Sequence, residues 1–391
     1  MKAGRRDFSL RLLVVAITVA VIGQFSGTAE AVASSPARFL GSARTSIRGA
    51  ISTSAATASQ LQAVLDQWRA YRHVPGIGAA IIFPDGSTWN GASGYAQLDP
   101  NELATPSTPF VVASITKTFV TAAIMQLADE GKLSIDDHLS NWLPDYPRAD
   151  QITLRELLSH TSGVFNFLEA RNFRNRVFKT GRGHQWTPQE ILDTFAGPPY
   201  FAPGQGFHYS NTGFILLGLV VEKVAGQALG DVLSRRFFVP LGLSDTYFQD
   251  TGPLPSSAAQ GYAYANAAWH EWSDGSNYRP GISGATVSWA AGAIESSAQD
   301  LAIWCAALYG GHVVSAHALT EMETITHSYG LGTRTRTHNG RRMFGHMGSF
   351  HGFDAAMWYY PSKGLTVVVL TNLAHISASP IADALADIAQ H

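Results

Sequence analysis

Ser114 is the only serine in the chain with a lysine, Lys117, three residues later. The pair precedes a stretch of helical periodicity from Thr118 to Glu130, which sets Lys117 one turn along the same face. A serine hydroxyl is a poor nucleophile until a neighbouring base takes its proton. Lysine serves as that base only where burial or nearby positive charge keeps it partly neutral. A helix N-terminus also aims backbone N–H groups at negative charge developing there. An N-cap serine followed by a solvated lysine has the same spacing, so the pair needs corroboration.

Two further clusters supply it. Pro203-Gly204-Gln205-Gly206-Phe207-His208-Tyr209-Ser210-Asn211 leads into an apolar helix from Thr212 to Val224. In an extended loop Tyr209 and Asn211 point the same way, where a phenol can relay a proton and an amide can bind a substrate amide. Tyr264-Ala265-Asn266 repeats the spacing, but in an Ala-rich run with no turn and helix after it, and reads as a surface loop. The other cluster is Gly345-His346-Met347-Gly348-Ser349, running toward a strand. Its small residues would let an edge strand approach a ligand, and a backbone N–H near Ser349 would pair with that of Ser114 as an oxyanion hole. His338-Asn339-Gly340 looks similar but sits in a polar turn between Arg336 and Arg341.

Elements must hold these residues together. Leu61, Val64, Leu65 and Trp68 share one helical face, so ordered structure is expected from near Leu61. Ile77–Phe83 and Ser87–Tyr95 read as strands around Pro84-Asp85-Gly86, and Asp354–Tyr360 and Leu365–Thr371 as a second pair around Pro361-Ser362-Lys363-Gly364. A closing helix is expected from about Pro380, and the middle, Ile115 to about Ala307, is mostly helical. Strands at both ends with helices between predict an α+β, α/β-sandwich fold: one antiparallel sheet built from both termini, with an inserted helical lobe.

Before that domain, Lys2, Arg5, Arg6 and Arg11, the apolar run Leu12–Ile22 and Ala29-Glu30-Ala31 outline a signal peptide over residues 1–31, and Arg5-Arg6-Asp7-Phe8 resembles the twin-arginine form. Its apolar core is short for a membrane span, so no stable span is expected after cleavage. Residues 32–59, rich in Ala, Ser and Thr, read as a flexible mature N-terminus, leaving 60–391 as the folded domain. The 391 residues carry 27 Lys and Arg against 29 Asp and Glu, a net charge of -2 that gives no footprint for nucleic acid. One cysteine, Cys305, excludes an intramolecular disulfide and reads as buried filler. The 14 histidines form no metal-ligand spacing backed by carboxylates, so no metal and no cofactor are expected. Trp269, Trp272 and Tyr278 occupy a polar stretch read as a surface hairpin.

In order, the three clusters resemble the serine β-lactamase and penicillin-binding-protein superfamily, in its class C β-lactamase-like part, closest to the D-alanyl-D-alanine carboxypeptidase branch. Ile152-Thr153-Leu154-Arg155-Glu156-Leu157-Leu158-Ser159-His160-Thr161-Ser162-Gly163, Pro240-Leu241-Gly242-Leu243 and Gln260-Gly261-Tyr262 are similar to further family segments. The resemblance implies a β-lactamase/transpeptidase-like fold and a secreted or cell-envelope serine hydrolase. Ser114 would form an acyl-enzyme, Lys117 would accept its proton, and Tyr209 would act jointly with Lys117 as the relay. Asn211 would hold the substrate amide, and His346, Gly348 and Ser349 would line the substrate strand. Where the family's third motif usually has Thr, this chain has Met347, which removes a hydroxyl from carboxylate binding. Ser349, with Arg334 or Arg336, is expected to compensate in part, Arg334 being the candidate cation. The implied reaction is carboxypeptidase-like amide cleavage, the alternatives a β-lactamase, an ester hydrolase or a non-catalytic penicillin-binding sensor. Substrates would be a peptidoglycan-type peptide, a β-lactam or an ester.

Overall fold

The computed structural model describes residues 53–181, 183–249, 255–265, 268–271, 282–350 and 352–390. The expected signal peptide, most of the expected flexible segment, Asn266, Trp272 and Tyr278 lie outside the described residues. Helix α1 (Ala55–Tyr71) starts where Ser54 accepts the Thr57 N–H at 3.1 Å, and buries Leu61 and Leu65. It takes in Ala55–Ser59, which the composition assigned to a flexible stretch. Alanine suits a helix as well as a linker, and the Ser54 cap decides between them.

Strands β1 (Gly76–Ile82) and β2 (Thr88–Leu98) follow, with the short edge strand β3 (Asn101–Leu103) and then β4 (Phe110–Val111), which leads into helix α2 (Thr116–Asp129). The helical lobe holds α3 (Leu154–Leu158), opened by a Thr153–Glu156 capping box, and α4 (Asn211–Ala225), closed by Gly226 in the left-handed region (φ 65°). Then come β5 (Thr246–Phe248), the hairpin β6 (Tyr262–Ala265) and β7 (Ala268–Glu271), β8 (Ile294–Ser296) and α5 (Ala298–Tyr309). The chain ends with β9 (Arg334–His338), β10 (Arg341–Phe350), β11 (Phe353–Tyr360), β12 (Leu365–Thr371) and α6 (Ser379–Ala389).

The main sheet is antiparallel in the order β3-β2-β1-β12-β11-β10-β9, so the first and last strands of the domain meet at its centre, with Ile77 opposite Thr371. That is the sheet from both termini expected above. Every residue of β1 and β12 is buried, because both faces are covered. Period-2 alternation sorts β10: Phe344 joins the core on the helical-lobe side, while Met343 and Met347 join the core that α1 and α6 share. In the small sheet β4-β8-β5, β5 and β8 fall in the stretch read as mostly helical; segments of two or three residues carry too little alternation to register. Cys305, inside α5, is fully buried.

Candidate active site

Strand β4 feeds a single 3₁₀ turn, Ala113–Ile115, which places Ser114 half-buried ahead of α2. Ala113 has φ 47°, a left-handed conformation costing about 1 kcal/mol or more for a non-glycine residue, at the point where the chain turns to present Ser114. One turn on, Lys117 is wholly inaccessible, and its Nζ lies 3.0 Å from Ser114 Oγ, 2.8 Å from Asn211 Oδ1 and 2.7 Å from the Ala291 carbonyl. None of these partners is a carboxylate. Burial therefore pushes the Lys117 pKa well below that of an ordinary lysine, and the Arg334 charge adds to the effect. A neutral Lys117 matches this shell: two N–H bonds serve Asn211 and Ala291, and the lone pair is left for the Ser114 proton.

Tyr209 lies on the strand-like loop entering α4. The loop is tied down by His208 N–H to His160 O (3.0 Å), Gly204 N–H to Thr161 O (2.9 Å) and Ser210 N–H to His160 Nδ1 (3.2 Å). The Tyr209 hydroxyl is hydrogen-bonded with Ser114, and its ring is 5.1 Å from Lys117 Nζ and 4.1 Å from the His160 ring. Burial pushes the phenol up to about 12, so at neutral pH it holds its proton and acts as a donor.

Asn211 sits at the first position of α4 and differs from the expectation. Its carbonyl, expected for the substrate, accepts from Lys117, and its Nδ2 donates to Asn166 Oδ1 at 3.1 Å. It still lines a small cleft of about 30 Å³ beside Ser114, with Phe167, Leu168, Ser349 and Phe350. A far larger cavity, about 690 Å³, opens elsewhere in the helical lobe among Trp142, Tyr146, Phe165, Ile191 and Leu216. It holds none of these reactive groups, so chemistry and not volume marks the site.

Strand β10 supplies the opposite wall. It pairs with β9 only as far as Gly345, opposite Arg334, so the edge from His346 to Phe350 is unpaired by any strand there. Gly348 is required at the crossing, because a Cβ there would stand 2.0 Å from the Val112 carbonyl. Three residues singled out on this strand meet different surroundings. His346 is buried with both ring nitrogens engaged, Nδ1–H toward Met347 O at 2.5 Å and Nε2 accepting from the Tyr329 hydroxyl at 3.0 Å, so both of its polar atoms already have partners within the wall. Burial first, then the Arg334 and Lys117 charges, hold its pKa far below the usual histidine range, so it is neutral and supplies no cation. The Ser349 hydroxyl bonds Asp354, leaving its backbone to line the cleft. Met347 packs on the far face, its sulfur accepting from Ser379 Oγ at 3.2 Å, so it removes nothing from the cleft.

The two arginines separate. Arg336 is paired with Asp383 at 2.6 Å on the far face. Arg334 lies with its guanidinium 5.2 Å from the Tyr209 ring and 5.4 Å from that of Tyr329, and among the described residues no carboxylate pairs with it. The look-alikes lie apart: Tyr264 stacks on His73 at 4.6 Å, and His338 bonds Asp387 at 2.7 Å. Asn166, His160 and Tyr329 went unassigned in the sequence. His160 was visible only inside a family-like segment, and nothing in the spacing marked the other two.

A family model described as Beta-lactamase matches residues 61–390. A penicillin-binding protein of Bacillus subtilis (strain 168) is 27% identical over 299 residues, 71% of this chain and 64% of that protein. The chain spans less than two thirds of the length of the curated relatives it matches first. Among solved structures, D-amino acid amidase from Ochrobactrum anthropi SV3, complexed with L-phenylalanine amide, has a TM-score of 0.74 at 26% identity, covering 86% of this chain and 99% of that one. D-stereospecific amidohydrolase from Streptomyces sp. has a TM-score of 0.71 at 30% identity, covering 84% and 96%.

Proposed function

This chain belongs to the β-lactamase family, and from that premise we propose that it is a serine hydrolase cleaving an amide bond through an acyl-enzyme on Ser114. One observation carries the reading: Lys117 is fully buried, touches Ser114 Oγ and has only uncharged acceptors around it. A lysine so placed is driven toward the neutral amine, the form that can take the serine proton. Ser114 Oγ attacks the carbonyl as its proton passes to Lys117. The leaving nitrogen takes a proton through the Lys117–Tyr209 pair, which then activates the deacylating water. The backbone N–H groups of Ser114 and Ser349 are assigned to the developing oxyanion.

The substrate we assign is a peptide ending in a D-configured residue with a free carboxylate, as in carboxypeptidase-like trimming of a peptidoglycan-type peptide. Arg334 supports this choice, as a cation over Tyr209 that pairs with no carboxylate among the described residues. The amidase likeness favours a second reading, an amide of a D-amino acid with no carboxylate. Kinetics on both substrates decide. Arg334→Ala should lower kcat/KM on a D-alanyl-D-alanine peptide by about 10–100-fold, the value of a charge-assisted hydrogen bond, and leave a D-alanine amide unchanged. Equal loss on both substrates would mean that Arg334 acts through Tyr209, and an enzyme active only on the amide would overturn the carboxypeptidase reading.

We also propose that residues 1–31 are an export signal and that the enzyme works outside the cytoplasm. The basic start, the apolar run and Ala29-Glu30-Ala31 support it. Mass spectrometry of the protein secreted by a bacterial host should find an N-terminus at Val32, and a retained Met1 would refute the assignment.

A further inference from the structure

An asparagine amide has two ends of nearly equal shape and opposite polarity, so something must decide which end of Asn211 meets Lys117. Asn166, buried just before the 3₁₀ turn Phe167–Glu169, accepts on its Oδ1 both the main-chain N–H and the Nδ2–H of Asn211, each at 3.1 Å. Its own Nδ2 donates to Glu169 Oε1 at 3.0 Å. The other carboxylate oxygen accepts from the Tyr200 hydroxyl at 2.7 Å, and His208 Nε2 lies 3.1 Å from Oε1. Tyr200 in turn accepts the Asn166 N–H at 3.2 Å, so its own proton is directed at Glu169.

An ionised carboxylate only accepts. Burial raises the Glu169 pKa, but hydrogen bonds from Asn166, Tyr200 and His208 outweigh that and keep the carboxyl below its ordinary range. Asn166 must therefore turn its NH₂ to Glu169 and its carbonyl to Asn211. Asn211 must then turn its NH₂ to Asn166 and its carbonyl to Lys117. The reversed arrangement is disabling. An Asn211 NH₂ facing Lys117 would meet the donors of an ammonium, and a neutral amine could accommodate it only with the lone pair that Ser114 needs.

We propose that Glu169 and Asn166 form a one-way amide relay that fixes the carbonyl of Asn211 against Lys117, making both of them positioning residues for acylation. The inference rests on the reading of Ser114 and Lys117 as the acylating pair. The titratable and charged groups facing Lys117 are Arg334 from β9, His346 from β10, and His160 and Tyr209 from the helical lobe.

The test is the rate at which a fluorophosphonate probe, which needs no knowledge of the substrate, labels Ser114 in the purified chain as a function of pH. The variants are Asn166→Ala, Glu169→Ala and Glu169→Gln, each first checked for a cooperative melt. Asn166→Ala should label about 10–100-fold more slowly, the usual cost of a misplaced catalytic group. Glu169→Ala should lose several-fold, and Glu169→Gln, which keeps an acceptor, should recover to within about threefold of wild type. The acid limb of the profile separates positioning from damage. Losing a fixed acceptor lowers the Lys117 pKa and moves the limb to lower pH, whereas loosened packing that admits water moves it up toward ordinary lysine. The proposal falls if Asn166→Ala labels like wild type, if its limb moves upward, or if Glu169→Gln is no better than Glu169→Ala. If wild type is labelled and only these outcomes appear, the relay alone is wrong. If wild type is not labelled at all, the acylating pair and the relay fall together.

Discussion

At the scale of single residues, the decisive quantity is the charge on Lys117. An unpaired ammonium sealed from water is expensive, and its three neighbours are neutral acceptors, so the side chain sheds its proton at lower pH than an exposed lysine. The sign of the pH dependence follows. Acylation depends on the neutral amine, so its rate should rise with pH through an acid limb well below the ordinary lysine value and fall away as pH drops. Stopped-flow acylation across pH 5–10 checks this, and a limb near the lysine value of about 10.4 would contradict it. Ser114, Lys117 and Tyr209 were legible in the sequence because the chemistry demands those types at short spacing or beside a turn and a helix. Asn166, Tyr329 and the true partners of His346 were not. Their roles come from contacts between segments distant in sequence, such as Asn166 with Asn211 and Tyr329 with His346, for which no spacing rule exists.

At the scale of elements, the cleft depends on how closely β10 passes the turn that carries Ser114. A methyl group at Gly348 would overlap the Val112 carbonyl, so Gly348→Ala must push strand and turn apart. Thermal melts should show a loss of about 1–3 kcal/mol or more, the overpacking range, together with lost acylation, and an active variant of native stability would show that the approach is not needed. The next strand contributes a pH-dependent device. Asp354 caps the approach to α6 by accepting the Ala378 N–H at 2.9 Å, and it takes the Ser349 hydroxyl. Burial pushes its pKa up to about 6 against those bonds. A carboxyl raised in the folded state binds more protons there than in the unfolded chain, so its contribution to stability declines as pH rises from about 4 through 6. Asp354→Asn should remove that decline, so that from pH 4 to 7 the stabilities of the two proteins drift apart by up to about 3 kcal/mol in total, and parallel stability profiles over that range would refute it. Long strands and helices were readable from period and punctuation. The face on which Met347 and Ser349 lie was not, because it depends on the parity of β10 against two separate cores.

At the scale of the whole molecule, the sheet places β1 against β12, so the two ends of the chain hold the centre while the helical lobe between them brings Lys117, Tyr209 and Asn211 over the edge of β10. That plan was readable from the strand pairs at each end. The N-terminal boundary was not, since an alanine-rich stretch reads alike as linker and helix. In the proposed reaction this architecture makes Ser114 a nucleophile that carries the substrate's acyl group. Intact-protein mass spectrometry tests it most directly, on the purified chain mixed with benzylpenicillin or with the p-nitrophenyl ester of acetyl-D-alanine, beside Ser114→Ala and followed over time. The expected result is one acyl adduct per chain, mapped to Ser114 and missing from the variant. An adduct that persists in Ser114→Ala, or no adduct on the native chain from either reagent, would contradict it.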